Sequence, residues 1–496
     1  MDEHNSVVNR IATQIQSFHA RKEPFRIYHG STNSTRRTTF DRKKIIDTST
    51  LNHVLHVDTQ SRTVLVEPNV RMDALVAATL PHGLVPPVVM EFPGITVGGG
   101  FSGSAAESSS FKAGFFDKSV NWVEFVLAGG EVVRASEGER KDLFHAAAGS
   151  LGTLGVATCF EMRLVQAREF VELSYLTAGS VGEGLRVMEE ATEDERNDYV
   201  DGIVMAKDRC IICVGRLTDR VEPGLKVQRL TRARDPWFYI HADRATREAQ
   251  GPVRECIPLK DYLFRYDRGA FWTGAYAYKY FLLPFNRITR WFLDDFMHTD
   301  VMYHALHESG HSDRYIIQDI VFPPDTVEKF IEWVDQKLGI YPLWLCPLQG
   351  KPRGLRLQRS GDEKESDTFG TAKAVNVGLW GPGSTNRDRF IAQNRDIERR
   401  TRELNGMKWL YAQAYYTEDE FWSIYDKKWY DALREKYNAT YLPNVYAKIK
   451  ADLTGEHRGG ASISGWLQDT FWSIWPMTGV YGVWRTLVSK EYLLAK

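Results

Sequence analysis

Five cysteines in 496 residues, an odd number, are too few for a disulfide framework and argue for a reducing compartment. An excess charge of one sign is also lacking. Lys plus Arg number 63 and Asp plus Glu 64, a net charge of −1, which disfavours a protein whose main task is gripping nucleic acid. No apolar run reaches the roughly 18 residues of a spanning helix. Residues 1–20 contain charges and amides but no apolar signal core, so secretion is not expected. No internal repeat is found. With 43% hydrophobic and 26% charged residues, the protein is globular rather than disordered.

Aromatics are plentiful, with 14 Trp, 22 Tyr and 25 Phe, enough to shape a large apolar pocket or simply to fill cores. Cys210 and Cys213 form a lone C-x-x-C with no second pair at zinc spacing, which favours buried structural thiols. Val7, Val8, Ile11, Ile15 and Phe18 recur at helical spacing. Short strands follow at 44–47, 52–57 and 63–67, then a helix at 72–80, a hairpin through Gly129-Gly130, a helix at 142–148 and a strand at 156–164. These alternations predict an α+β fold with a first domain over 1–168. A second, larger α+β domain is expected over 169–455, of which about 405–455 is expected to pack back on the first. Residues 351–371 read as a polar surface loop, and helices are expected at 386–404, 418–425 and 426–437. An aromatic-rich tail occupies 456–496.

The most informative stretch runs from Pro93 to Ser110 and includes Thr96-Val97-Gly98-Gly99-Gly100 and Gly103-Ser104 followed by Glu107-Ser108-Ser109-Ser110. Glycines let a backbone turn its N–H groups inward as an anion-binding nest, and serines add donors. Gly98, Gly100 and Gly103 match G-x-G-x-x-G, but Pro86, Pro87 and Pro93 interrupt the strand that a nicotinamide-binding fingerprint needs. A flexible loop, a Rossmann turn and a pyrophosphate loop of another fold all remain open, the last favoured. A second cluster, Gly149 to Thr158, carries Gly152, Thr153, Gly155 and Val156 from a helix into a strand, and by spacing alone also fits an ordinary tight turn.

Together the two clusters resemble the flavin domain of the FAD-binding vanillyl-alcohol oxidase/p-cresol methylhydroxylase family. More narrowly, Asn69-Val70-Arg71-Met72, Glu107-Ser108-Ser109-Ser110-Phe111-Lys112, Ile257-Pro258-Leu259 and Tyr341-Pro342-Leu343-Trp344-Leu345-Cys346-Pro347 resemble the Diminuto-type Δ24-sterol reductases. So do Leu410-Tyr411-Ala412 with Phe421-Trp422, Leu433-Arg434-Glu435-Lys436 and Val445-Tyr446, so the likeness spans about 20–450. The resemblance implies a PCMH-type domain that binds FAD non-covalently, with the Thr96–Ser110 loop on the pyrophosphate. It places Gly152, Thr153, Gly155 and Val156 near the adenosine end and residues 27–35 against the flavin. That last loop, with His29, departs from the Arg-Pro form of animal and plant members; covalent flavin attachment at His29 is not favoured. The resemblance further implies NADPH as reductant, a sterol or terpenoid-like lipid as substrate, and a cytoplasmic location or a peripheral one on the endoplasmic reticulum membrane.

An isolated trisubstituted alkene resists hydride attack unless it is protonated, so such a site needs an acid opposite the flavin. Candidate donors are Tyr415 first and Tyr411 second; strand alternation over 410–416 puts both on one face, and a core role is the alternative for each. Glu107 reads as an N-terminal helix charge or a flavin-side contact rather than as an acid. Arg268 and Lys279 flank Phe271-Trp272 and read as solvated surface cations or as contacts for a reductant phosphate or a polar substrate end. His304, His307 and His311 share a helical face, but a metal site is not expected. The tail has three possible roles: a membrane interface, a homodimer contact or docking on its own protein surface. An FAD oxidase, desaturase or alkene isomerase on another lipophilic metabolite is the rival activity, and a flavin-free sterol binder the rival of another class.

Overall fold

The structure, a computed structural model, describes residues 1–30, 36, 40–249, 251–309, 314–350, 353–354 and 373–453. The protein opens with the helix Asp2–Arg21, which buries Val8, Ile11, Ile15 and Phe18. Each such side chain contributes about 1.5–3 kcal/mol of burial. Their partners include Val126 and Val156 of the first sheet and Ala128 just beyond its strand. That sheet orders Val54–Asp58, Thr63–Val66, Gly155–Arg163, Val120–Leu127 and Val132–Ser136 side by side, antiparallel throughout. A Rossmann turn needs a parallel sheet, so this arrangement removes that alternative.

The second sheet begins at Phe170. Among the described residues it has eight antiparallel strands, ordered Val253–Pro258, Phe170–Ala178, Arg209–Thr218, Tyr199–Ala206, Leu343–Gln349, Lys373–Pro382, Tyr315–Phe322 and Met407–Lys408. The period of two splits its side chains cleanly. Ile316, Ile320, Leu343, Leu345, Val377 and Leu379 pack with residues of the helices Val181–Glu193, Pro324–Lys337 and Arg387–Glu403. Ile317, Val321, Trp344, Cys346 and Trp380 join a core continuous with the first sheet. The face turned toward the first sheet therefore forms the roof of whatever lies between. Fold and strand mixture are α+β, as the sequence predicts.

After Lys408 the backbone returns to the first unit. Tyr430 donates to Thr153 Oγ1 at 2.7 Å, Tyr441 to the Ala128 carbonyl at 2.8 Å, and Tyr437 to Asp142 at 2.8 Å. The five cysteines are free and buried, with Cys210 and Cys213 in different cores. No three-residue cluster of metal-ligating side chains exists among the described residues. His304 and His307 lie on the helix Thr299–Ser309; His311, most of the 351–371 loop and the 456–496 tail lie outside the described residues. No helix of the described residues is long and apolar enough to cross a membrane.

Candidate active site

A cavity of about 350 Å³ lies between the two sheets, within the size range of small-molecule sites. Its floor is the glycine-serine segment, and here the structure corrects the sequence. The expected nest of inward amides is a short helix, Val97–Gly103, capped by Thr96, whose hydroxyl accepts from the Gly99 amide at 3.1 Å. Glycine-rich sequence is a poor helix former, so tertiary contacts hold it. Val97 N–H donates to the Val70 carbonyl at 2.9 Å and Gly98 N–H to the Pro68 carbonyl at 2.7 Å. The amides of Gly100, Ala105, Glu107 and Ser110 are also committed to protein acceptors. Packing is close at Gly100, where a Cβ would sit 2.4 Å from Met90 Cε and 3.0 Å from the Phe116 ring. A Cβ on Gly103, by contrast, would meet nothing within 4 Å. The segment is a smooth wall against which a ligand can lie close.

Thr96, Gly98, Gly99, Gly100, Gly103, Ser104 and Glu107 line the cavity, as do Gly152, Gly155 and Val156. Val97, Ser108, Ser109, Ser110 and Thr153 do not. Val97 is in the core. Ser109 donates to the Pro87 carbonyl, the Ser110 hydroxyl accepts from Glu107 N–H, and the Ser108 carbonyl accepts from Val200 N–H. Thr153 donates to the Ser150 carbonyl.

No local pattern in the sequence points to the charge at this site. Arg26, Arg36 and Lys448 line one end of the cavity together with His29. Burial pushes Lys448 down to about 7, aided by repulsion from Arg26 and Arg36. Burial likewise lowers Arg26, takes Arg36 to about 10 with help from Arg26, and takes His29 to about 4, which leaves His29 neutral. Lys448 donates to the Leu151 carbonyl at 2.6 Å, and no described carboxylate offsets it or Arg26. Half-buried cations without a counter-charge are costly, and a diphosphate is the kind of anion that would relieve them.

The other end is an aromatic chamber. Phe92, Tyr303, Trp344, Trp380, Trp409 and Tyr411 line it. Phe92 meets Phe271 and Trp380 edge-on, with ring centroids 5.5 and 5.6 Å apart. Trp344 is fixed by its indole N–H to Asp201 at 3.1 Å. On the roof, Asp319 stands opposite Gly378 in register and accepts from Asn376 at 2.8 Å, Trp380 at 3.3 Å and Tyr411 at 2.7 Å. Trp409 donates to Asn376 Oδ1 at 2.9 Å, closing the network. Burial raises the Asp319 carboxyl. Glu91, also in the lining, is pushed up by burial to about 8, and its Oε2 is buried without a hydrogen-bond partner.

The two tyrosine candidates part company. Residues 410–416 form no strand beyond a bridge at Ala414, so the alternation that would put Tyr411 and Tyr415 on one face does not arise. Tyr411 enters the chamber. Tyr415 packs on Phe390 in the core behind the second sheet, donates to Gln413 at 3.2 Å and is absent from the cavity lining. Arg268 is not a solvated cation either: it is buried, paired with Asp294 at 2.6 Å and bonded to the Leu230 and Ala233 carbonyls. Lys279 is exposed.

The residues present fit a bound FAD, with cations for its diphosphate, a glycine wall for close approach and an aromatic chamber beyond. Comparison with known proteins agrees. Residues 8–136 match the family described as FAD binding domain. The Delta(24)-sterol reductase of Macaca fascicularis is 30% identical over 409 residues, 80% of this chain and 76% of that protein. That of Arabidopsis thaliana is 30% identical over 436 residues, 82% and 76% respectively. Cytokinin dehydrogenase 9 of Oryza sativa is 32% identical over 159 residues, only 29% of this chain and 30% of that protein. Similarity over four-fifths of the sequence thus converges with the cavity's chemistry: the chain belongs to the Delta(24)-sterol reductase family of FAD-dependent oxidoreductases.

Proposed function

We propose that this protein reduces a carbon–carbon double bond in the side chain of a sterol or terpenoid-like lipid, with NADPH as the source of electrons. Bound FAD supplies hydride chemistry. Arg26, Arg36 and Lys448 hold its diphosphate, and the Val97–Gly103 wall sets its depth. The aromatic chamber takes the apolar tail of the lipid, excludes water and eases positive charge developing at a tertiary carbon. Glu91 carries the proton the alkene needs, and Tyr411, held by Asp319, orients the substrate beside it.

The observation that carries this reading is the place of Glu91: it lines the cavity, and its Oε2 is buried without a hydrogen-bond partner. Burial there raises its pKa to about 8, which favours the protonated acid at neutral pH. Reduction needs an acid at that place; an oxidase or desaturase needs a base. The test is incubation with NADPH and a sterol carrying an unsaturated side chain, such as desmosterol, followed by mass spectrometry. The product is expected to gain a pair of hydrogens. An unchanged substrate mass with a flavin that NADPH does reduce would redirect the assignment to another alkene; a flavin that NADPH leaves oxidised would contradict reduction itself.

A further inference from the structure

Twelve large hydrophobic residues are exposed among the described residues, and six of them fall within 282–292. Leu282, Ile288, Trp291 and Phe292 are 73, 75, 57 and 77% exposed, with Leu283 and Phe285 beside them. Scattered exposed side chains need no explanation, but a cluster does. This one is built, not frayed. Asn286 caps the helix Arg287–Phe292 through a reciprocal capping box with Thr289. Tyr278 donates to the Thr289 carbonyl at 3.1 Å, and Phe285 packs on Trp237 and Tyr278 with centroids 5.4 and 5.1 Å away. Ile288, Trp291 and Phe292 stand at i, i+3 and i+4 and share a face. Leu282 holds a left-handed backbone, φ 52°, a strained conformation for a bulky residue, on the same outward turn.

The charge within the cluster is of one sign. From Lys279 to Phe292 the sequence has Lys279, Arg287 and Arg290 and no acidic residue. The next acids, Asp294 and Asp295, follow the helix, and Asp294 is buried against Arg268. Apolar and tryptophan side chains beside cations match the boundary between acyl chains and anionic headgroups. A second copy of this protein would have to set cation against cation across a two-fold axis. The segment also lies between two stretches that reach the chamber. Phe271, before it, meets Trp344 and Trp380 at 5.4 and 5.2 Å, and Tyr303, after it, lines the cavity.

We propose that residues 282–292 dock the protein on an anionic lipid bilayer, with Leu282, Ile288, Trp291 and Phe292 among the outer acyl chains and Lys279 and Arg287 at the headgroups. A lipid-borne substrate would then be taken up from the surface the protein sits on. The docking does not depend on which reaction is catalysed, and its test involves no turnover. The flavin-loaded full-length protein is floated with vesicles of phosphatidylcholine, with and without phosphatidylserine. The wild-type protein is expected to float, more strongly with phosphatidylserine, and Ile288→Asp with Phe292→Asp to lower partitioning roughly a hundredfold, about tenfold for each side chain. Arg287→Glu is expected to remove the preference for phosphatidylserine. Flavin absorbance and thermal unfolding of all variants should match wild type, because the altered side chains are exposed; the milder Ile288→Ser with Phe292→Ser keeps the test if the acidic pair does not fold. A wild-type protein that floats with neither vesicle, or a double variant that floats as wild type does, overturns the proposal. So does a lipid-independent wild-type dimer that the double variant splits.

Discussion

The Tyr411 hydroxyl donates to Asp319 Oδ2 at 2.7 Å, joining the segment after the last strand to the roof of the second sheet. Asp319 keeps two other donors, Asn376 and Trp380, so the carboxylate stays in place when Tyr411 is altered. Tyr411→Phe is expected to lower stability by about 1–2 kcal/mol. It should also slow product formation about tenfold through misplacement of the substrate, with FAD content unchanged. Because the two residues act as a unit, Asp319→Asn added to Tyr411→Phe should cost less than the sum of the single losses. Chemical denaturation and single-turnover rates check both statements.

Glu91→Gln preserves shape and removes the transferable proton. Product formation should fall by about a hundredfold or more, while flavin reduction by NADPH is unaffected. In wild type the folded-state pKa is raised, so the proton is present below about 8 and lost above it. The chemical step should therefore slow as pH rises through about 8, and that limb should vanish in Glu91→Gln. Stopped-flow rates from pH 6 to pH 10, taken as roughly two units either side of that value, read it directly.

If Lys448 holds the diphosphate as proposed, FAD binding should depend on pH. Burial holds its pKa near 7 before an anion arrives, and the diphosphate favours the charged form. Below about pH 7 the lysine is already protonated and affinity should be flat. Above that value a proton must be taken up on binding, so affinity should weaken as pH rises. Lys448→Met should weaken FAD roughly tenfold or more at neutral pH and abolish this slope. The flavin-free variant should unfold no more easily than wild type, since an uncompensated half-buried cation is gone. Flavin fluorescence titration and thermal unfolding measure these effects.

Two cavity glycines should respond in opposite ways. Gly152 has φ +70°, and a Cβ there would lie 2.7 Å from Ile27 Cδ1. Gly152→Ala should cost about 1–3 kcal/mol with or without FAD. A Cβ on Gly103 meets no protein atom, so Gly103→Ala should leave the flavin-free protein as stable as wild type. Its methyl group points to no protein neighbour beside the cavity, and FAD retention on gel filtration should drop if the cofactor lies against that wall.

Local pattern made much of the fold legible. Helical spacing located Asp2–Arg21, and alternation located Thr63–Val66 and the hairpin of Val120–Leu127 with Val132–Ser136. The glycine-serine segment is legible as a candidate ligand-binding stretch, and it lines the cavity, but it is not legible as a helix, because its hydrogen bonds depend on Pro68 and Val70, which approach only in three dimensions. The same reason hid Arg26, Arg36 and Lys448, which meet from distant segments. Tyr415 lies outside the chamber because Lys408 and Glu398 draw the backbone off a strand course: Glu398 accepts from Tyr415 N–H at 2.8 Å and from Lys408 at 2.7 Å. Glu91 did carry a signal. It is the single acidic residue in the apolar run Val88-Val89-Met90-Glu91-Phe92, next to the glycine segment. Such a carboxyl must be desolvated wherever its neighbours are buried.

The most direct test is anaerobic mixing of the NADPH-reduced protein with a side-chain-unsaturated sterol, followed at about 450 nm, where oxidised flavin absorbs. Return of that absorbance in step with formation of the saturated sterol, slowed by Glu91→Gln, is the predicted result. A reduced flavin that the alkene leaves reduced, with no saturated sterol formed, would contradict a sterol side chain as substrate and redirect the assignment to another alkene, and a flavin that NADPH fails to reduce would contradict reduction itself.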